Sequence, residues 1–179
     1  MMQDAKVMVY IDGSNLYHSL DHICGRHDVD FSKFAEKLVA GRRLIRMYYY
    51  NAQIDQVKEP TMYSGQQRFF AALSRVPYLE LRVGRLVYPD NWPTGPSYEK
   101  GVDIKIATDM LTHGSQDNYD VAILVSGDSD FQDALQAVKN LGHHVEVALF
   151  GRRTSQNLRD VADRVIELDA AFFSDCWQT

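Results

Sequence analysis

Four aspartates in three separated segments carry the chemistry open to this sequence. Asp12 ends the apolar run that starts at Lys6, Asp103 follows Lys100-Gly-Val, and Asp128 and Asp130 lie in Ser126-Gly-Asp-Ser-Asp-Phe131. Each alone has a plain explanation, since an aspartate caps a helix and favours its positive dipole end. One acid suffices for that, and Ser129 with Gln132 already forms a capping-box pattern that starts the next helix at Asp130. Gathered together, the four carboxylates repel one another, which raises the pKa of some members and costs stability. A hard divalent cation offsets that charge, and Mg²⁺ and Mn²⁺ prefer oxygen ligands. The set therefore points to a metal site with Asp12, Asp103, Asp128 and Asp130 as ligands.

The flanking elements decide whether the acids can meet. Val121-Ala-Ile-Leu-Val125 has the composition of a strand buried on both faces. It breaks at Ser126-Gly127 and resumes as a helix with Phe131, Ala134, Leu135, Val138 and Leu141 apolar. Asp12 repeats the plan: a strand, the acid, Gly13 as the turn, Ser14 as cap, and a helix to about Ile23 with Leu16, Leu20 and Ile23 inward. Parallel strands bring both acids to the carboxyl edge of the sheet, where ligands bind in open α/β folds. Asn15 can point an amide at whatever Asp12 holds, although a solvent-facing asparagine fits the pattern equally. Asp103 heads a helix whose inward stripe reads Ile104, Ala107, Met110 and Leu111. A helix feeding the Val121 strand must begin at that same edge. Asp109 ranks lower, because it points about 120° away from Asp103 around the helix.

The remaining pattern alternates strand and helix. Phe31, Phe34, Leu38 and Val39 mark a short helix ended by Gly41, and Leu44 to Tyr50 reads as a strand. Residues 51–59 form a polar loop, and Pro60 opens a helix to about Arg75. Tyr78 to Tyr88 alternates as a half-wet strand, suited to a sheet edge and bent at Gly84. Pro89 to Gly101 is a long loop carrying Trp92 and Tyr98, of a length that in compact domains is usually functional or disordered. His144 to Phe150 and Val165 to Leu168 complete the strands. Arg152 and Arg153 follow a strand's carboxyl end, beside the acids. The expected fold is a three-layer α/β/α, doubly wound, mainly parallel sheet in one domain over residues 1–179.

Composition sets outer limits. The 179 residues are 45% hydrophobic with a net charge of −5 and a pI near 5.6, which argues against a general electrostatic binder of nucleic acid. Cys24 and Cys176 make no disulfide framework, and there is neither a signal peptide nor an apolar run of membrane-spanning length, so the expected setting is reducing and cytoplasmic. His18, His22, Cys24 and His27 have zinc-like spacing, but no second ligand pair follows and incidental surface histidines explain them more simply. The turn after Asp12 lacks the GxGxxG of dinucleotide-binding folds.

Tyr10-Ile-Asp-Gly-Ser-Asn15, Lys100-Gly-Val-Asp103 and Ser126-Gly-Asp-Ser-Asp-Phe131 resemble the three signature segments of NYN domains, specifically the LabA-like branch. The resemblance spans roughly residues 6–150. It implies a PIN-like, Rossmann-like sheet of the metal-dependent nuclease superfamily, with Asp12, Asp103, Asp128 and Asp130 as metal-site acids and Asn15 and Ser126 as supporting polar groups. The implied activity is Mg²⁺- or Mn²⁺-dependent hydrolysis of single-stranded RNA. Lys100, Arg152 and Arg153 would hold flanking phosphates, and Trp92 or Tyr98 would stack a base unless they pack the loop down. Two alternatives stand: a non-catalytic RNA- or protein-binding regulator of the same fold, and a metal-dependent phosphatase on small phosphoesters. A homodimer is left open.

Overall fold

The structure, a computed structural model, describes residues 4–151 and 155–178. The chain alternates as expected: β1 (Lys6–Asp12), α1 (Gly13–Cys24), α2 (Phe31–Val39), β2 (Arg43–Gln53), α3 (Pro60–Leu73), β3 (Leu79–Val87), β4 (Tyr98–Lys100), α4 (Val102–Ser115), β5 (Val121–Val125), α5 (Gln132–Asn140), β6 (His144–Phe150), α6 (Gln156–Val161) and β7 (Arg164–Leu168). The strands form one sheet in the order β4-β3-β2-β1-β5-β6-β7, parallel throughout except for β4. From β1 the chain winds outward through β2 and β3, then returns to β5 on the other side of β1 and winds outward again. The order reverses between β1 and β5, and such a switch point opens a crevice at the carboxyl ends of the strands.

Alternating side chains of the central strands feed two cores. Val7, Val9 and Ile11 pack with α1, α2 and α3 on one face, and Met8 and Tyr10 pack with α4, α5 and α6 on the other. Burial on both faces accounts for the unbroken apolar composition of β5. Gly13 is needed for close approach, since a Cβ there would stand 2.5 Å from the Tyr49 ring and from the Tyr50 carbonyl oxygen.

Several local expectations are corrected. The Tyr78–Tyr88 segment is not an edge strand, because β4, within the stretch expected to be all loop, pairs antiparallel along its outer side. Gly84 does not bend β3, whose register with β2 is continuous; it makes room for Val102, whose Cγ2 would lie 2.7 Å from an added Cβ. That contact sets the roll of α4, so Val102, Ile106, Met110 and Gly114 face inward while Ile104 is 72% exposed. Ile23 likewise falls outside the buried stripe of α1. Asp12, not Ser14, caps α1 through the Asn15 N–H. A 3₁₀ turn, Ser129–Phe131, capped by Asp128, precedes α5, so that helix starts at Gln132 and the expected Ser129 cap is not used.

Candidate functional site: an acidic cleft at the switch point

Ile11 pairs with Val125, so Asp12 and Ser126 leave adjacent parallel strands at the same level. The two turns are tied together there. The Ser126 hydroxyl donates to Asp12 Oδ2 at 2.9 Å and its oxygen accepts from the Asp128 N–H at 3.2 Å. Asn15 Oδ1 accepts from the Gly127 N–H at 3.0 Å, while its own N–H donates to Asp12 Oδ1 at 3.1 Å. Asn15 and Ser126 thus hold the acid turns in a fixed relation.

Above this junction lies an open cleft of about 550 Å³, with Asp12, Asn15, Glu99, Asp103 and Asp128 among its lining residues. Asp103 arrives on the first turn of α4, and Glu99 on β4, where its Oε1 accepts from the Ala52 N–H at 3.3 Å. Asp130 is exposed and outside the lining, but its charge reaches Asp103. Glu99 is the residue sequence reasoning missed. Its signal was faint: in Tyr98-Glu-Lys100, strand alternation sends the outer two to solvent and the middle one inward.

The electrostatics are those of crowded acids. Burial pushes the Asp12 carboxyl up and the Asp128 charge adds to it, against the pull of the Asn15 and Ser14 N–H groups and the Ser126 hydroxyl. Asp103, though exposed at the rim, is raised by partial desolvation and by Asp12, Asp128 and Asp130. Glu99 is raised by burial and then by Asp12 and Asp103, with the Ala52 N–H opposing. Among the described residues no ion pair involves any of the five acids.

This oxygen donor set fits a hard divalent cation in kind. The carboxylates surround the cleft without converging on a point: among the described residues, no three His, Cys, Asp or Glu side chains are gathered closely enough to hold an ion between them. The same finding covers the zinc-like spacing, although His18 and His22 do line the cleft. Asp109 is engaged elsewhere, accepting from the Tyr50 hydroxyl at 2.8 Å and facing Arg82 at 3.6 Å.

A family model for the NYN domain matches residues 6–169. The chain belongs to the NYN family. It is 24% identical to the low amplitude and bright protein LabA of Synechococcus elongatus, over 92% of this chain and 84% of LabA. The fold is also that of a protein of unknown function from Vibrio parahaemolyticus, with a TM-score of 0.72 at 21% identity over 94% of this chain and 96% of that one. Membership places the chain in the PIN-like nuclease superfamily, whose members generally use divalent metals.

The other expected substrate contacts lie apart from the cleft lining. Trp92 packs edge-on against Tyr88, with the Lys58 ammonium over both rings, so it holds its loop down. Tyr98 and Lys100 are exposed on β4, on the side away from Glu99. Arg152 and Arg153 lie outside the described residues. Among the described residues no helix is long and apolar enough to cross a membrane.

Proposed function

We propose that this NYN domain is a ribonuclease that hydrolyses phosphodiester bonds of single-stranded RNA in the acidic cleft, using Mg²⁺ or Mn²⁺. The observation that carries the reading is that Asp12, Asp103 and Asp128, from three separate segments, line one cleft over the switch point of the sheet. Asp12, Asp103 and Asp128 would hold the cation, which keeps several waters of its own and so does not need the carboxylates to converge, with Asp130 adding charge from outside the lining. When bound, it supplies activation of a water and stabilisation of charge on the leaving oxygen.

The protein's own part is positioning and proton transfer. The Asn15 N–H and the Ser126 hydroxyl fix both oxygens of Asp12, so this carboxylate presents one orientation to the cleft. Ser126 carries the same constraint to the turn of Asp128. Glu99, raised by burial beside two other acids, is suited to hold a proton and deliver it to the departing oxygen. Lys100 and Tyr98 are exposed on the strand that carries Glu99 but on its opposite side, so they would meet only RNA that runs beyond the cleft.

The spread of the carboxylates favours one rival, a regulator that binds RNA or protein without cleaving, and the small cleft leaves a second, a phosphatase on small phosphoesters. Labelled single-stranded RNA and a generic phosphomonoester, each incubated with Mn²⁺ and with EDTA, separate the three. RNA cleavage that needs Mn²⁺ and is lost in Asp103→Asn is the expected result. RNA left intact under all conditions overturns the reading.

A further inference from the structure

A second cavity, of about 530 Å³, opens beside the acidic cleft and shares Ser14, His18 and Glu99 with it. Its walls are α1, which supplies Leu16, Tyr17 and Leu20, and one face of α3, where Met62, Gly65, Gln66 and Phe69 recur at helical spacing. The floor is the end of β2 at Tyr49, Asn51 and Ala52. Its volume falls within the roughly 300–1,000 Å³ usual for small-ligand sites. The lining is mainly apolar and aromatic, and its one carboxyl side chain, Glu99, sits on the boundary with the acidic cleft. The Gln66 amide is committed to the backbone of Ala52 and Ile54 at 2.8 and 2.9 Å, so it braces the floor.

We propose that this cavity binds an unpaired nucleobase of the RNA strand whose phosphate lies in the acidic cleft. The proposal rests on the ribonuclease reading for its substrate, but the cavity's chemistry stands by itself. A heteroaromatic ring matches a cavity lined by aromatic and aliphatic side chains, with the His18 and His27 imidazoles and the Asn51 amide among them. The shared wall puts the base next to the phosphate, and a duplex, whose bases are stacked inward, cannot enter. A folded partner is poorly suited. A stable interface covers about 800 Å² per partner, whereas the large apolar side chains exposed at this cavity are only Tyr17 and Met62.

Gly65 supplies the test. A Cβ built there meets nothing nearer than the Arg68 Nη2 at 4.0 Å, and leucine is the better helix former, so Gly65→Leu narrows the cavity without straining the fold. The probes are adenosine, uridine and ribose, titrated by NMR in EDTA; none carries a phosphate, so neither a cation nor cleavage is needed. Saturable binding of a nucleoside but not of ribose is expected. Gly65→Leu should weaken it at least about tenfold, the size of one lost stacking contact, while Gly65→Ala retains it. Absence of nucleoside binding, or binding indifferent to Gly65→Leu, overturns the proposal, as does a concentration-dependent dimer that Gly65→Leu dissociates. Failure of the ribonuclease reading would show instead as intact RNA with nucleoside binding preserved.

Discussion

Asp12 and Glu146 are both almost fully buried, at 6% and 4% exposure, yet they are treated in opposite ways. Glu146, on β6, meets a complete cation. Arg42 grips it with two hydrogen bonds of 2.7 and 2.9 Å, Arg164 stands 3.8 Å away, and the Arg42 guanidinium is further fixed by the carbonyls of Leu38 and Val39. Asp12 receives backbone N–H groups and a hydroxyl but, among the described residues, no cation, with three more carboxylates lining the same cleft. One buried acid has a full cation partner in the chain; the other has none among the described residues. Glu146 thus has the surroundings of a structural carboxylate, and Asp12 those of a candidate functional one.

The largest effect should come from breaking the compensated side. Arg42→Met strips buried Glu146 of both hydrogen bonds and leaves it only the more distant, half-exposed Arg164 at 3.8 Å, and a cost approaching about 3–5 kcal/mol is expected in urea unfolding. Adding Glu146→Leu should recover most of it, since a well-packed apolar pair can replace a buried ion pair. Asp12→Asn should cost far less, or stabilise the cation-free protein. If Asp12→Asn proved as damaging as Arg42→Met, the contrast between the two acids would collapse.

Next in size is the response to cation and pH. The carboxyls of Asp12, Asp103 and Glu99 are raised in the fold, so folding favours their protonated forms. Their contribution is fully present below about pH 4, the unfolded value, and is lost as pH rises through the raised folded values. In EDTA, wild-type stability relative to Asp12→Asn should therefore fall with rising pH across that window. A divalent cation that binds only the native cleft should reverse the loss, by about 2.7 kcal/mol at a hundredfold excess over its Kd. Melting temperatures measured against pH, with EDTA and with Mg²⁺ or Mn²⁺, check both halves. A melting temperature indifferent to millimolar cation would leave the cleft acids without a ligand.

The two acids also differ in how legible they were. The placement of Asp12 and Asp128 could be read because each follows a strand's apolar run at a turn, and that of Asp103 because its helix must begin at the same edge to feed β5. The buried run of β5 and the three-layer fold followed from the same pattern. Glu99 could not be read as easily, because β4 is a strand of three residues that exists through its pairing with β3. Of the stripe expected on α4, Met110 is buried and Ala107 and Leu111 half-buried, but Ile104 is exposed and Val102, Ile106 and Gly114 take the inward face, where Val102 packs onto Gly84. Arg42 and Glu146 are separated by 104 positions, and no local pattern announces their pairing.

The smallest expected change in stability, and the sharpest in function, belongs to Asp128→Asn. Asp128 performs two jobs in the structure: its Oδ1 accepts from the Asp130 N–H at 3.0 Å to cap the 3₁₀ turn, and its carboxylate faces the cleft beside Asp12. An asparagine retains a side-chain oxygen at the same position and caps about as well as aspartate, so folding should change by no more than a few tenths of a kcal/mol. The charge is removed, which lessens the upward pressure on Asp12 and Asp103, where Asp128 contributes to the raised carboxyls. Unfolding in EDTA should then match wild type or improve slightly, the increment from Mg²⁺ should shrink, and RNA cleavage should be lost. Asp128→Ala would confound the two jobs by removing cap and charge together. If Asp128→Asn cleaved RNA at the wild-type rate with an unchanged Mg²⁺ increment, the cap would be its whole role, and the uncompensated charge at this edge of the sheet would rest on Asp12, Asp103 and Glu99.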